Sequence, residues 1–209
     1  MSYDRRSDIC VRRTTNGVAP ALNCKKRTKG IMDKFTEKTL SSKTVYKGRI
    51  FDITSDEIVL SDGLKRNREI IHHPGGVVIL ALKDDGNILL VKQYRYAVKS
   101  VQTELPAGRL EKGEDPLLAA QRELREETGY IAKNWESLGY IFTTFGICDE
   151  KLYLFKATGL AFDKPDPDEG EILDYFELPL SDVHNLVKNG TINDAKTICA
   201  LARLGLESI

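Results

Sequence analysis

Three glutamates in the middle of the chain have the residue types and spacing of a cation site. Glu123, Glu126 and Glu127 lie three and four positions apart, a spacing that places side chains on one face of an α-helix. Three neighbouring carboxylates repel one another unless a cation lies between them. Carboxylate oxygens are hard ligands that suit Mg²⁺ and Mn²⁺. The pattern therefore predicts a divalent-metal site, against the simpler alternative of a solvated acidic helix face.

The segment around these glutamates has the signals of a capped helix over Pro116–Thr128. Its apolar residues recur at i, i+3 and i+7, which is the helical period. Asp115 fits the N-cap, a proline occupies the first helical position, and Gly129 fits the residue after the end. Glu114 and Arg122 are expected to brace the preceding loop against this helix.

The rest of the chain is rich in strand patterns and poor in helical ones. Strands are predicted at 44–54, 57–60, Lys65–His72, 77–82, 88–94, 138–144, 151–157 and 174–178, and further helices at 181–188 and 193–204. Many strands with few helices in mixed order indicate an α+β sandwich. Three regions are expected: a basic, disordered extension (1–36), a strand region (37–72) and a main domain (73–209).

The complete motif is much more specific than the glutamates alone. It reads Gly-x5-Glu-x7-Arg-Glu-Leu-x-Glu-Glu-x-Gly and resembles the Nudix hydrolase signature at each fixed position. Those positions are Gly108, Glu114, Arg122, Glu123, Glu126, Glu127 and Gly129. Tyr130 departs from the aliphatic residue that usually follows, a change that concerns packing more than chemistry. Because so many residues match at fixed spacings, the motif favours a metal site over a solvated acidic helix face.

Flanking segments resemble the ADP-ribose pyrophosphatase branch of that family over residues 38–205. They lie at 67–71, 91–96, 104–108 and 193–197. The resemblance implies a Nudix-type α/β/α sandwich with a mixed sheet, preceded by a small N-terminal antiparallel strand region. It also implies hydrolysis of the pyrophosphate bond in a nucleoside diphosphate sugar. ADP-ribose would give AMP and ribose 5-phosphate. A homodimer, built partly through the N-terminal strands, is expected as well.

The same resemblance assigns roles to individual residues. The backbone carbonyl of Ala107 and the carboxylates of Glu123 and Glu127 would bind Mg²⁺, with Mn²⁺ as the alternative, and Glu126 is a further candidate ligand. The substrate would be contacted by Arg68, Glu69 and Arg95. Arginine suits this role because its planar guanidinium can bind two oxygens of a phosphate at once.

Two places could supply the general base: an acidic loop, and the helix predicted over Pro116–Thr128. By resemblance, Glu169 or Glu171 would swing in to deprotonate the attacking water, and loops on rigid scaffolds often supply catalytic groups. A plain acidic surface loop is an equal alternative. Glu126 is the other candidate base.

One departure from the branch concerns the substrate. Phe145 occupies a position that is typically proline there. A lone phenylalanine is expected to be a core aromatic, but the change leaves other nucleoside diphosphate sugars, such as GDP-mannose, open. A sensor that binds such a compound without cleaving it is a separate alternative. The intact acidic set favours the enzyme over the sensor.

The distribution of charge and the spacing of the cysteines limit which partners and which cellular compartment are expected. Residues 1–31 carry eight lysines and arginines against two aspartates, and the rest of this neutral chain therefore carries −6. An acidic body suits neither a nucleic-acid-coating protein nor a membrane-surface protein, so neither partner is expected. A third interpretation makes the basic arm an RNA tether, which deletion of residues 1–31 would test. Four widely spaced cysteines predict reduced thiols in a cytoplasmic protein.

Overall fold

The structure is a computed structural model and describes residues 34–164 and 172–206. The strands are β1 (Lys38–Lys47), β2 (Asp52–Val59), β3 (Lys65–His72), β4 (Gly76–Ala81), β5 (Asn87–Arg95), β6 (Ser100–Glu104), β7 (Ala107–Arg109), β8 (Tyr130–Phe142), β9 (Lys151–Phe162) and β10 (Leu173–Pro179). The helices are α1 (Pro116–Thr128), α2 (Leu180–Lys188) and α3 (Ala195–Leu206).

Two sheets form the main body of the molecule. The first has the order β7-β4-β9-β8, in which β4 and β9 are parallel and the other neighbours are antiparallel. The second has the order β10-β5-β6 and is antiparallel throughout. The strand arrangement is therefore mixed, as the sequence predicts.

Strand β4 shows how the body is layered. Its residues are all buried, and successive side chains of a strand point to opposite faces. Val77 and Ile79 belong to a core cluster with residues of α1, whereas Val78 and Leu80 belong to a second cluster with residues of α2 and α3. Each fully buried side chain of this size contributes roughly 1.5–3 kcal/mol. Helices cover both sides of the sheets, which confirms the predicted α/β/α sandwich.

A separate antiparallel sheet with the order β1-β2-β3 precedes the sandwich, as predicted. Its last strand is tied to the body near residues 147–149. Ile71 donates its N–H to the carbonyl of Ile147 at 2.8 Å and accepts from Asp149 N at 3.1 Å. The Asp149 carboxylate also accepts from His72 Nδ1 at 2.7 Å. These bonds join the two parts of the described chain directly before β4.

The structure corrects several predicted strands. The single strand at 44–54 is wrong because the chain turns between β1 and β2, where Gly48 N bonds to Phe51 O at 3.1 Å and to Asp52 Oδ1 at 3.2 Å. The apolar residues Ile50 and Phe51 continue the strand pattern through this turn, and for that reason the sequence predicts a single strand. Strands β6 and β7 are additional, and β8 begins at Tyr130, well before the predicted 138. The helix over Pro116–Thr128 is confirmed.

Two predictions fall wholly or largely outside the described residues. They are the basic extension, of which residues 1–33 are not described, and the acidic loop with Glu169 and Glu171, which lies within 165–171. Within the described ranges, every helix is too short or too polar to cross a bilayer.

Candidate active site

Helix α1 is fixed at both ends by the groups that its sequence predicts. The Asp115 carboxylate accepts from Leu117 N at 2.9 Å and from Leu118 N at 3.3 Å, and Gly129 ends the helix with a φ of 73°. A left-handed φ of this kind strains any residue with a side chain, so glycine fits here. The apolar stripe packs on β4, and this packing sets the direction of the glutamates.

Two of the three glutamates are buried. Glu123 is 9% exposed and Glu127 is 3% exposed, and buried carboxylates require hydrogen bonds or opposite charge nearby. Glu127 Oε2 accepts from the backbone N–H of Ala107 at 3.0 Å. The helix thus places Glu127 directly against the strand residue that the resemblance selects as a backbone ligand.

Gly108 explains how Glu123 reaches the same strand. A Cβ atom at Gly108 would lie 1.9 Å from the Glu123 Cδ and 2.0 and 2.2 Å from its two oxygens. The Glu123 carboxylate therefore occupies the space that a side chain at position 108 would fill. Residues Ala107, Glu123 and Glu127 are brought together across α1 and β7.

Arg122 lies among the remaining carboxylates. Its Nη1 donates to Glu123 Oε1 and to Glu126 Oε2, both at 2.8 Å. Its Nε and Nη2 donate to the two oxygens of Glu114 at 3.0 and 3.1 Å. The hydrogen bond from Arg122 holds the pKa of Glu114 below its ordinary value against the opposing effect of burial. The predicted brace between the loop and the helix is present.

The three glutamates do not form the single patch that their spacing indicates. In the described part of the chain, no group of three or more acidic, histidine or cysteine side chains is arranged as a metal cage. Arg122 supplies the positive charge between Glu123 and Glu126, while Glu127 turns towards Ala107. The local donors are carboxylates beside a strand backbone, with room made by a glycine. These residues fit a divalent cation bound by two carboxylates and a backbone oxygen.

Two adjoining cavities open at this place. The smaller, about 320 Å³, is lined among others by His73, Arg95, Glu150 and Lys196. The larger, about 980 Å³, is lined among others by residues of α1 and of the loop that precedes it, together with Arg95. Ala107 and Gly108 also line both cavities. Volumes of this order suit a ligand of nucleotide size.

Some of the other predicted site residues line the two cavities, and others do not. Arg95 lies between the two cavities. Arg68 lines neither cavity and instead pairs with Glu37, at 2.6 and 3.0 Å. Glu69 is exposed on β3 and also lines neither cavity. Glu126 lies beside Arg122.

Phe145 is not a core aromatic, so that expectation is wrong. Its side chain is 87% exposed. The backbone turns here because Ile147 N and Cys148 N both donate to the carbonyl of Thr144, at 3.0 and 2.9 Å. A residue in the middle of such a turn lies at the surface.

The smaller cavity is also lined by polar side chains for which the sequence predicts no role, among them His73, Glu150, Asp194 and Lys196. The segments that contain Asp194 and Lys196 were recognised only as resemblance. The available signal is a lysine two positions after Asp194, the residue that precedes α3, but this spacing does not tell which cavity the lysine faces.

The chain belongs to the Nudix family. Residues 72–201 match the NUDIX domain model, and residues 37–71 match the nucleoside diphosphate sugar hydrolase N-terminal domain. Members of this family of hydrolases generally depend on a divalent metal.

Two relatives and one solved structure show which known proteins this chain resembles along most of its length. The chain is 38% identical over 178 residues to an ADP-ribose pyrophosphatase of Bacillus subtilis, covering 84% of this chain and 96% of the relative. It is also 38% identical over 175 residues to a methanol dehydrogenase activator of Bacillus methanolicus, with coverage of 83% and 95%. The crystal structure of an ADP compounds hydrolase superposes with a TM-score of 0.72 at 25% identity, covering 81% of this chain and 92% of that one.

Proposed function

We propose that this Nudix hydrolase cleaves the pyrophosphate bond of ADP-ribose or a related nucleoside diphosphate sugar. With ADP-ribose the products are AMP and ribose 5-phosphate. The observation that carries the proposal is the meeting of Glu123, Glu127 and Ala107 beside Arg95, where two cavities adjoin. The similarity to an ADP-ribose pyrophosphatase along most of the chain supports the choice of substrate.

The metal ligands are proposed to be the carboxylates of Glu123 and Glu127 and the carbonyl of Ala107, with Glu126 as a further ligand. Bound Mg²⁺, or Mn²⁺ in its place, supplies Lewis-acid stabilisation of the charge on the pyrophosphate group. Arg122 holds Glu123 and Glu126 in place through Nη1. Packing of α1 on β4 fixes this arrangement before the substrate arrives.

The remaining proposed roles are substrate binding and removal of a proton from the attacking water. Arg95 binds a phosphate oxygen pair from the wall between the two cavities, and Arg68 and Glu69 contact the substrate from the N-terminal sheet. Water attacks one phosphorus, the bond from that phosphorus to the bridging oxygen breaks, and the water proton passes to a carboxylate. Glu169 or Glu171 is the proposed acceptor, with Glu126 as the alternative.

The choice of sugar is tested by a substrate panel. ADP-ribose, GDP-mannose, ADP-glucose, UDP-glucose, diadenosine polyphosphates and NADH are incubated with the full chain in Mg²⁺ or Mn²⁺, and products are separated by chromatography. We expect ADP-ribose to give the highest kcat/KM. A higher value for GDP-mannose would select the alternative, and binding without cleavage of any compound would select the sensor.

The metal assignment is tested by Glu127→Gln. Because this change removes a ligand charge but keeps the side-chain volume, turnover should fall by roughly 10²-fold or more while the fold is retained. The matched control is Glu136→Gln, an exposed glutamate on β8 that pairs with Lys156; its activity should equal wild type. Wild-type turnover by Glu127→Gln would show that Glu127 is not a metal ligand.

We also propose that the enzyme is a cytoplasmic homodimer. Strand β1 is exposed along its whole length, and Leu40, Val45 and Tyr46 are exposed apolar residues on it. Such a surface fits a second copy of the chain better than solvent. Cys148 and Cys199 are free thiols, as is usual in a reducing compartment.

A further inference from the structure

A buried carboxylate that takes no part in the proposed reaction lies behind the smaller cavity. Glu104 is the last residue of β6 and is 1% exposed. Burial of a charged carboxylate is costly unless opposite charges and hydrogen bonds compensate for it. A leucine or methionine would fill this position without that cost, so the partners of Glu104 indicate what its charge does.

Glu104 uses one oxygen for each of two cations. Oε1 accepts from Arg95 Nε at 2.7 Å. Oε2 pairs with Lys196 Nζ. Arg95 ends β5, and Lys196 lies in the first turn of α3. One carboxylate therefore connects two cationic side chains that come from different elements and line the same cavity.

The geometry at Arg95 leaves the outer part of the guanidinium available. Only its Nε is used by Glu104, and neither Nη group has an acceptor among the described residues. The side chain is 41% exposed and lines both cavities. A guanidinium fixed through Nε presents its two Nη groups as a fork that matches two phosphate oxygens.

Lys196 lines the same cavity as Arg95. Its Nζ also lies 3.1 Å from Asp194 Oδ2, and its side chain is mostly buried. With Glu104 and Asp194 as its neighbours, this lysine is held in one direction instead of moving freely in solvent. A fixed ammonium group loses less conformational entropy when it binds an anion.

The start of α3 is attached to Leu105, the residue that follows β6, by bonds that do not involve Glu104. Asp194 Oδ2 accepts from Thr197 N at 3.0 Å and from Thr197 Oγ1 at 2.6 Å. Thr197 Oγ1 in turn accepts from Leu105 N at 2.9 Å. Because these neutral and capping bonds already dock the helix, the charge of Glu104 is not required merely to hold it there.

We propose that Glu104 is a positioning residue for substrate binding, which holds Arg95 and Lys196 against one cavity so that both cations meet the same phosphate group. The proposal rests on the proposed function in that a pyrophosphate compound is the ligand. It adds Lys196 as a second phosphate-binding cation, and it gives the buried carboxylate a purpose that packing alone does not supply.

The first test is Glu104→Gln, which keeps the volume and removes the charge. KM for ADP-ribose should rise about 10- to 100-fold, because hydrogen bonds to charged groups are among the stronger ones. The kcat value should stay within about threefold, since the lost contact acts equally on bound substrate and transition state. The matched control is Glu177→Gln, which also removes a charge from a lysine pair (Lys83) but lies away from both cavities; its KM should equal wild type.

A double-mutant comparison separates positioning from a general loss of structure. In the Arg95→Gln/Lys196→Gln background, adding Glu104→Gln should change kcat/KM by less than about threefold, because the residues through which Glu104 acts are already gone. An equal loss in both backgrounds would overturn the proposal, since Glu104 would then act independently of the two cations.

Binding of inorganic pyrophosphate, measured by calorimetry with EDTA present, distinguishes this proposal from the proposed function. Glu104→Gln should weaken the affinity about tenfold or more. If the wild-type chain cleaves nothing in the panel but shows this loss, the proposed function fails and the positioning role stands. Wild-type affinity in a folded Glu104→Gln variant overturns the positioning role, as does an absence of pyrophosphate binding by the wild type. If Glu104→Gln does not fold, Lys196→Gln replaces it, and unchanged affinity in that variant overturns the proposal equally.

Discussion

Gly108 leaves the space that the Glu123 carboxylate occupies in the candidate metal site, because glycine has no side chain. Gly108 has no positive φ, so its value does not come from backbone freedom. It comes from space: the Glu123 carboxylate lies where a Cβ would be, within 1.9–2.2 Å. Contacts under 3.0 Å to a Cβ are essentially never found in proteins. Any larger residue at 108 must therefore displace Glu123 or move β7.

Gly108→Ala is expected to lower kcat/KM by roughly 10- to 100-fold, because displacing a catalytic group by about 1 Å can cost that much. The apparent metal affinity, obtained from activity against Mg²⁺ concentration, should fall as well. Gly205→Ala is the control, since a Cβ there meets open space; its activity should be that of the wild type. Full activity of Gly108→Ala would mean that Glu123 need not touch β7.

Residue spacing predicted which glutamates share a helix face, but not the partner of each. The fork of Arg122 reaches Glu114, Glu123 and Glu126 together, and this choice depends on the loop folding back over the helix. The pairing of Glu104 with Lys196 joins residues 92 positions apart. No local pattern encodes such a contact, because it exists only after β6 and α3 have packed.

At the scale of elements, an ion pair joins the loop before α1 to the middle of that helix. Glu114 accepts from Arg122 and also from the backbone N–H of Glu111, at 2.9 Å. Arg122 donates to the carbonyl of Arg109 at 3.2 Å as well. The segment from β7 to α1 therefore depends on one arginine for much of its order.

This ion pair predicts a pH dependence of stability. The hydrogen bond from Arg122 lowers the pKa of folded Glu114 below the ordinary 4.5. The stabilisation is therefore fully present above 4.5 and is lost as the pH falls through the lower folded pKa. Glu114→Gln should reduce the free energy of unfolding by about 1–3 kcal/mol at neutral pH.

The measurement is urea unfolding of wild type and Glu114→Gln from neutral to acidic pH. The difference between the two proteins should shrink on acidification below 4.5. Glu136→Gln, which breaks an exposed pair, should lie within about 1 kcal/mol of wild type at every pH. A difference that grows at low pH would contradict the assigned direction of the Glu114 shift.

Elements with strong end signals were predictable, and those without them were not. Helix α1 has a capping aspartate, a proline at its first position and a terminal glycine, and its bounds match the prediction. Strands β6 and β7 are short, with five and three residues, and they exist because β5 and β4 offer them hydrogen-bonding edges. Their own sequences carry too few alternating apolar residues to indicate a strand.

At the scale of the whole molecule, the N-terminal sheet is attached to the sandwich mainly by its last strand. The bonds from Ile71, His72 and His73 to residues 147–149 lie at one end of β3. Strand β1 is at the opposite edge of that sheet and is ten residues long. A long exposed edge offers unpaired backbone groups to another chain, so this edge is where the proposed dimer should form.

The dimer can be tested by placing a charge on that edge. Wild type should sediment at twice the mass of the chain over a wide range of concentrations, and Val45→Lys should sediment as a monomer, because a lysine on an edge strand opposes pairing. The control is Val101→Lys, at an exposed valine on the edge strand β6, which should remain dimeric. Arg68 and Glu69 line neither cavity of their own chain. If they contact substrate in the partner's cavities, Val45→Lys should also raise KM, whereas a monomeric variant with unchanged KM would remove both residues from the substrate site.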